Sequence, residues 1–146
     1  MKVVAICSGG GHMAELKRAL PHVNGLNITW ITASSGYNAV KKMPNTLYIC
    51  DPHTSKLMFL VNFVQSLYFF IKTRPQIVIS SGAGLCIFYC LICKVFKRKL
   101  LFLETGARIS TPSKTGMLLY KYADLFIIQS KCLLKYYPKA RVGLLK

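Results

Sequence analysis

The residues with chemistry to offer come early. Ser8, Gly9, Gly10, Gly11 and His12 follow an apolar run directly, and Glu15 comes less than a turn later. Glycines at such a junction permit a tight positive-φ turn and let the backbone approach a ligand closely. A helix starting there adds unpaired N–H groups and partial positive charge. The guest these features suit is an anion, most simply a phosphate or diphosphate. His12 offers a side chain suited to proton transfer near neutral pH, and equally a donor to phosphate or a helix cap. A second glycine loop, "SSGAG" at 80–84, contains Ser81, Gly82 and Gly84, and a third, "ETGARISTPSKTG", runs from Glu104 to Gly116. Either glycine loop is also what a plain tight turn requires. Glu104, one of only 4 acids, sits four residues before Arg108, placed for a local ion pair or for a joint grip on a sugar or phosphate.

Familiar phosphate and acyl-transfer motifs do not fit these loops. "GGGHMAELK" lacks the Gly-Lys-Ser/Thr of a P-loop. Glu15 stands about where a dinucleotide fingerprint would want its third glycine, and the second strand ends in "ITASSG" without an acid, which argues against NAD or NADP. "ISSGAG" is not a nucleophile elbow. Without a D-x-D-like acidic pair, no metal is expected, and no cofactor.

The elements that must position these loops alternate along the chain. Continuously apolar, β-branched runs predict strands near Val3–Cys7, Ile28–Ala33, Thr46–Cys50, Gln76–Ser80, Leu100–Glu104 and Leu125–Gln129. Helices are expected near His12–Leu20, Tyr37–Lys42, Ser55–Lys72, Leu85–Phe96, Lys114–Tyr122 and Lys131–Tyr136. Pro75 separates a helix from the strand after it, and Ser113 is placed to cap the next helix. This is the pattern of an α/β, doubly wound parallel sheet, in which strands 1 and 4 are neighbours and ligands bind beyond the carboxyl ends. The two glycine loops are then expected to flank one crevice.

A chain of 146 residues is one domain, 1–146, without internal repeat or linker. Its 20 Lys and Arg against 4 acids give +16, which calls for an anionic partner, and with 53% hydrophobic residues a membrane surface fits better than nucleic acid. The longest uncharged run, Leu57 to Ile71, is interrupted by Asn62, Gln65 and Ser66 and is shorter than the roughly 20 apolar residues of a span. It reads as a core helix or a membrane-contacting one, as does "CLICKVFKRK" with its basic end. "MKVVAICSGG" is too short a run for a secretory signal, so a cytoplasmic location is expected. Cys86, Cys90 and Cys93 share one helical face and read as small buried residues.

"SGGGHMAEL", "RPQIVISSGAG", "ETGARISTPSKTGMLLYKYADLFIIQ" and "YYPKA", in that order over nearly the whole chain, resemble the membrane-side subunit of the two-part UDP-N-acetylglucosamine transferase of lipid-linked oligosaccharide synthesis, and more closely its bacterial relatives in capsule and exopolysaccharide assembly. The glycine loop is also similar to that of the enzyme adding N-acetylglucosamine to the peptidoglycan lipid precursor. The resemblance implies a Rossmann-like, acceptor-side N-terminal half of a split GT-B glycosyltransferase. A separate donor-domain subunit would hold the UDP-sugar, and the acceptor would be a polyprenyl-diphosphate-linked saccharide. It places Gly9, Gly10, Gly11 and His12 in the family's first loop, Glu15 as its helix acid, and Ser81, Gly82 and Gly84 in its second loop. Glu104, Arg108, Ser113, Thr115 and Gly116 fall in its third loop, with His12 and then Glu104 as candidate bases. Eukaryotic members start with an anchoring helix, whereas here the first strand starts at Lys2, so peripheral attachment to the cytoplasmic face of the plasma membrane is expected. Ser130 also replaces the aromatic usual after the glutamine of "FIIQ". The alternative that composition leaves open is a basic nucleotide- or nucleic-acid-binding module.

Overall fold

The computed structural model describes residues 1–20, 26–33, 44–52 and 55–143. The elements are β1 (Lys2–Cys7), α1 (Gly11–Ala19), β2 (Asn27–Ala33), β3 (Thr46–Ile49), α2 (Lys56–Thr73), β4 (Ile77–Gly82), α3 (Ile87–Val95), β5 (Lys99–Leu103), α4 (Lys114–Leu119), β6 (Leu125–Ile128) and β7 (Arg141–Val142). Short 3₁₀ turns cover Gly84–Cys86 and Lys131–Lys135. All strands pair in parallel, in the order β3-β2-β1-β4-β5-β6-β7. The doubly wound order expected from the sequence is present, extended by β7.

Alternation along β1 feeds two apolar clusters, as the pleat requires. Val4 and Ile6 join the larger one, with Val78, Tyr89, Leu100, Phe102, Phe126 and Tyr137. Cys7 joins a smaller one with Met13 and Leu16 of α1. Cys86, Cys90 and Cys93 are wholly buried in the larger cluster, as their shared face predicts.

Local signals set most boundaries. Ser55 caps α2, accepting from the Met58 N–H at 3.3 Å, and the helix closes on Arg74, left-handed at φ 45°, before Pro75. Ser113 caps α4 by accepting from the Gly116 N–H at 2.8 Å. Three expectations change: α4 stops at Leu119, Lys131–Lys135 winds as a 3₁₀ turn, and β7 was not foreseen. The expected helix Tyr37–Lys42 lies outside the described residues. One irregularity bears on the site. Ile6 pairs with Ser80 but Cys7 pairs with Gly82, so Ser81 is an extra residue in the β1–β4 ladder.

Candidate functional site

A cleft of about 680 Å³ opens beyond the carboxyl ends of the strands. Seven of the sequence-derived candidates line it: His12, Ser81, Gly82, Gly84, Arg108, Ser113 and Thr115. The two glycine loops do face one crevice, joined by a hydrogen bond that the bulged Ser81 Oγ donates to the carbonyl of His12 at 3.0 Å. Gly82 takes φ +100°, a conformation strained for any other residue, and a Cβ there would be in ordinary contact with the rings of Phe102 and His12. Gly10 takes φ +70° to turn the chain into α1, and Ser8 and His12, on either side of that turn, line the cleft. His12 Nδ1 is buried without a hydrogen-bond partner, so Nε2 is the ring nitrogen a ligand can reach.

Six candidates are not on the cleft wall: Gly9, Gly10, Gly11, Glu15, Glu104 and Gly116. The two acids instead hold the third loop in place. Glu15 reaches from α1 to accept from the Gly106 N–H at 2.9 Å and from Thr105 Oγ1 at 3.3 Å. Glu104 is 1% exposed. Its Oε2 accepts from the Ser113 N–H (3.2 Å), Ser113 Oγ (3.0 Å) and the Tyr137 hydroxyl (2.9 Å), while Oε1 accepts from the Thr105 N–H at 3.2 Å. No ion pair joins Glu104 to Arg108 among the described residues. A carboxylate this deeply satisfied bends residues 104–116 into an arch and leaves Arg108 free to face the cleft. Burial, and then the Glu104 charge, push the Tyr137 phenol up from its ordinary pKa, so it stays a donor. Gly116 is a packing glycine: a Cβ there would collide with the Glu104 carboxylate, the Tyr137 hydroxyl and Ser113 Oγ.

The sequence reading missed Asp51, which lines the cleft just past β3. The rule that singled out Glu104, an acid at a strand's carboxyl end in an acid-poor chain, applies to Asp51 equally. Tyr137 and Gln129 were also missed; Gln129 Nε2 donates to the Glu104 carbonyl at 3.1 Å. Arg108 and Lys114 bring positive charge to the wall. The buried thiols are no ligands or nucleophiles in waiting: burial pushes Cys7 up to about 12 and Cys86 well above its ordinary range, and Cys86 Sγ donates to the Gly82 carbonyl at 2.8 Å. Among the described residues no group of three or more His, Cys, Asp or Glu is arranged to hold a metal ion.

Residues 49–145, which carry the second and third loops and Asp51, match the family described as "Oligosaccharide biosynthesis protein Alg14 like". The chain belongs to this Alg14-like family. A Candida albicans protein named UDP-N-acetylglucosamine transferase subunit ALG14 is 25% identical over 160 residues, covering 92% of this chain and 73% of its own. The human protein of that name is 29% identical over 75 residues, covering 47% of this chain and 35% of its own. Among solved structures, MurG of Acinetobacter baumannii superposes with TM-score 0.76 at 14% identity over 99% of this chain and 45% of that one. UDP-GlcNAc 2-epimerase of Methanocaldococcus jannaschii, in complex with UDP-GlcNAc and UDP, gives TM-score 0.76 at 11% identity over 99% and 46%. At such identities the likeness is one of fold, and the Alg14-like chain spans a little under half of either structure. Membership in this family sets aside the nucleic-acid-binding alternative.

Proposed function

We propose that this chain is the acceptor-binding, membrane-associated subunit of a two-part UDP-N-acetylglucosamine transferase, acting on a lipid-diphosphate-linked saccharide. The observation that carries the reading is the cleft itself: two glycine loops and a cationic third loop converge on one opening large enough for a diphosphate and the first sugar. Arg108, Lys114 and the N-terminus of α1 would neutralise the diphosphate. His12, on the same wall, would take the proton from the attacking hydroxyl through Nε2. Asp51 is placed to accept from a neighbouring sugar hydroxyl and so to orient it. Glu104 and Glu15 act as positioning residues, because their carboxylates hold the arch that carries Arg108. The donor sugar belongs on a separate subunit, and the protein works at the cytoplasmic face of the plasma membrane.

Co-expression with a donor-binding subunit tests this. Transfer from UDP-N-acetylglucosamine to a polyprenyl-diphosphate saccharide should need both chains. His12→Ala should lower kcat about 10²- to 10⁴-fold, whereas Arg108→Ala should act mainly on the acceptor KM. Robust transfer by the isolated chain would overturn the split arrangement, and an unchanged rate in His12→Ala would remove the base.

A further inference from the structure

The amphipathicity of α2 is turned inside out. Asn62 and Ser66, one turn apart, are fully buried, whereas Leu57 (64%), Leu60 (60%), Val64 (56%), Tyr68 (60%) and Ile71 (55%) face outward. A helix covered by water would be turned the other way, with its Asn and Ser outside. The outward residues fall within about a third of the helix circumference at 100° per residue, and they form one stripe along the whole helix. Neither α2 nor α3 contains an acid. The only charges on α2 are Lys56 and Lys72 at its ends, about 24 Å apart along the axis. At the C-terminal end, Phe70, Ile71 and Arg74 border a shallow hollow with Phe96 and Arg98 of the turn between α3 and β5, and the Lys72 ammonium lies 6.0 Å from the Tyr68 ring. Among the described residues no helix is long and apolar enough to cross a membrane.

We infer that α2 lies flat in the surface of an anionic bilayer. Its outer stripe sits among the upper acyl chains, and Lys56, Lys72, Arg74 and Arg98 meet the lipid phosphates. The inference rests on the proposed lipid-borne acceptor for its purpose, though not for its test. A stripe on a convex helix, free of acids and flanked by cations at both ends, complements a negative surface; it offers no groove for a partner's helix. The buried polar face explains how the docked helix governs the cleft. Asn62 Nδ2 donates to the carbonyls of Cys50 (2.6 Å) and Leu85 (3.3 Å), and Gln65 Oε1 accepts from the Cys50 N–H at 2.7 Å. Cys50 precedes Asp51, and Leu85 follows Gly84. The polar side chains that a water-facing helix would display here fasten the docking face to two loops of the site.

The test is flotation of the full chain with vesicles of phosphatidylglycerol and phosphatidylethanolamine, compared with phosphatidylcholine vesicles. Wild type should float with the anionic vesicles. Leu60→Gln with Val64→Gln, both exposed and so compatible with folding, should weaken this about tenfold or more. Lys72→Gln with Arg98→Gln should remove the preference for anionic lipid. A second readout, Val64→Trp, should shift its emission to the blue on adding anionic vesicles. Equal flotation of the Leu60/Val64 variant would overturn the proposal. So would a wild-type dimer that this variant dissociates, or loss of flotation when the donor subunit is bound, since a protein would then own the face. The two readings fail separately. Docking with no transfer by the two-subunit complex would sink only the proposed function; transfer to a detergent-dispersed acceptor without flotation would sink only the docking.

Discussion

At the scale of single residues, the four acids of this chain show why residue type alone does not assign a role. The sequence marks Glu104 as chemically interesting because it ends a strand in an acid-poor protein. The structure gives it four hydrogen bonds and 1% exposure, so its charge is used in shaping a loop. Glu104→Ala should therefore destabilise the protein by about 2–4 kcal/mol, since the Ser113 and Tyr137 donors lose a charged acceptor. Urea denaturation will read this, and an unchanged midpoint would refute it. Glu104→Gln, which keeps the shape, should retain transfer within about tenfold. A far larger loss at intact stability would instead make Glu104 a base. The glycine loops were legible because positive φ selects glycine, as at Gly10 and Gly82. Asp51 was legible by the rule that marked Glu104, since it directly follows the expected strand Thr46–Cys50, and only the shared opening had to come from the fold.

At the scale of elements, strands buried on both faces announce themselves by continuous apolar runs, and β1, β4, β5 and β6 were read within two residues of their ends. The caps at Ser55 and Ser113 and the stop before Pro75 follow from local chemistry in the same way. Helix α2 shows what pattern cannot supply. Asn62 and Ser66 form a polar stripe at i, i+4, which marks an amphipathic helix but not which side faces in. The direction comes from the carbonyls of Cys50 and Leu85 waiting beneath, a tertiary fact. Strand β7 was invisible for another reason: two exposed residues carry no period. Asn62→Leu, which keeps the volume but removes the donors, should cost about 1–3 kcal/mol although it makes the helix more apolar. A thermal melt at or above wild type would show those carbonyls to be satisfied otherwise.

At the scale of the whole molecule, charge is divided between the two ends of the sheet. Glu15, Asp51 and Glu104 stand at the ligand end, while Asp124 ties the far end together. It accepts from Lys94 Nζ (2.7 Å), Lys99 Nζ (3.3 Å) and the Leu100 N–H (2.8 Å). Partial burial raises its pKa, but the bonds from Lys94, Leu100 and Lys99 outweigh that and hold it at about 2. A carboxyl lowered on folding stabilises the native state above its unfolded pKa of about 4, and that support fades as pH falls toward 2. Discounted for partial solvent screening, the contribution is about 1–2 kcal/mol. Asp124→Asn should thus lose stability at pH 7 and run parallel to wild type below about pH 2; equal stability at neutral pH would exclude the linkage. The extra residue at Ser81 has a consequence for the opposite end. Because one strand carries a residue its neighbour does not match, the ladder cannot close there, and the hydroxyl that falls out of step seizes the backbone of His12. The binding mouth thus begins as a miscount between two chains of hydrogen bonds. Deleting that single residue would let the two strands keep step to their ends, and the mouth would lose both a wall side chain and the tie that holds the carbonyl of His12.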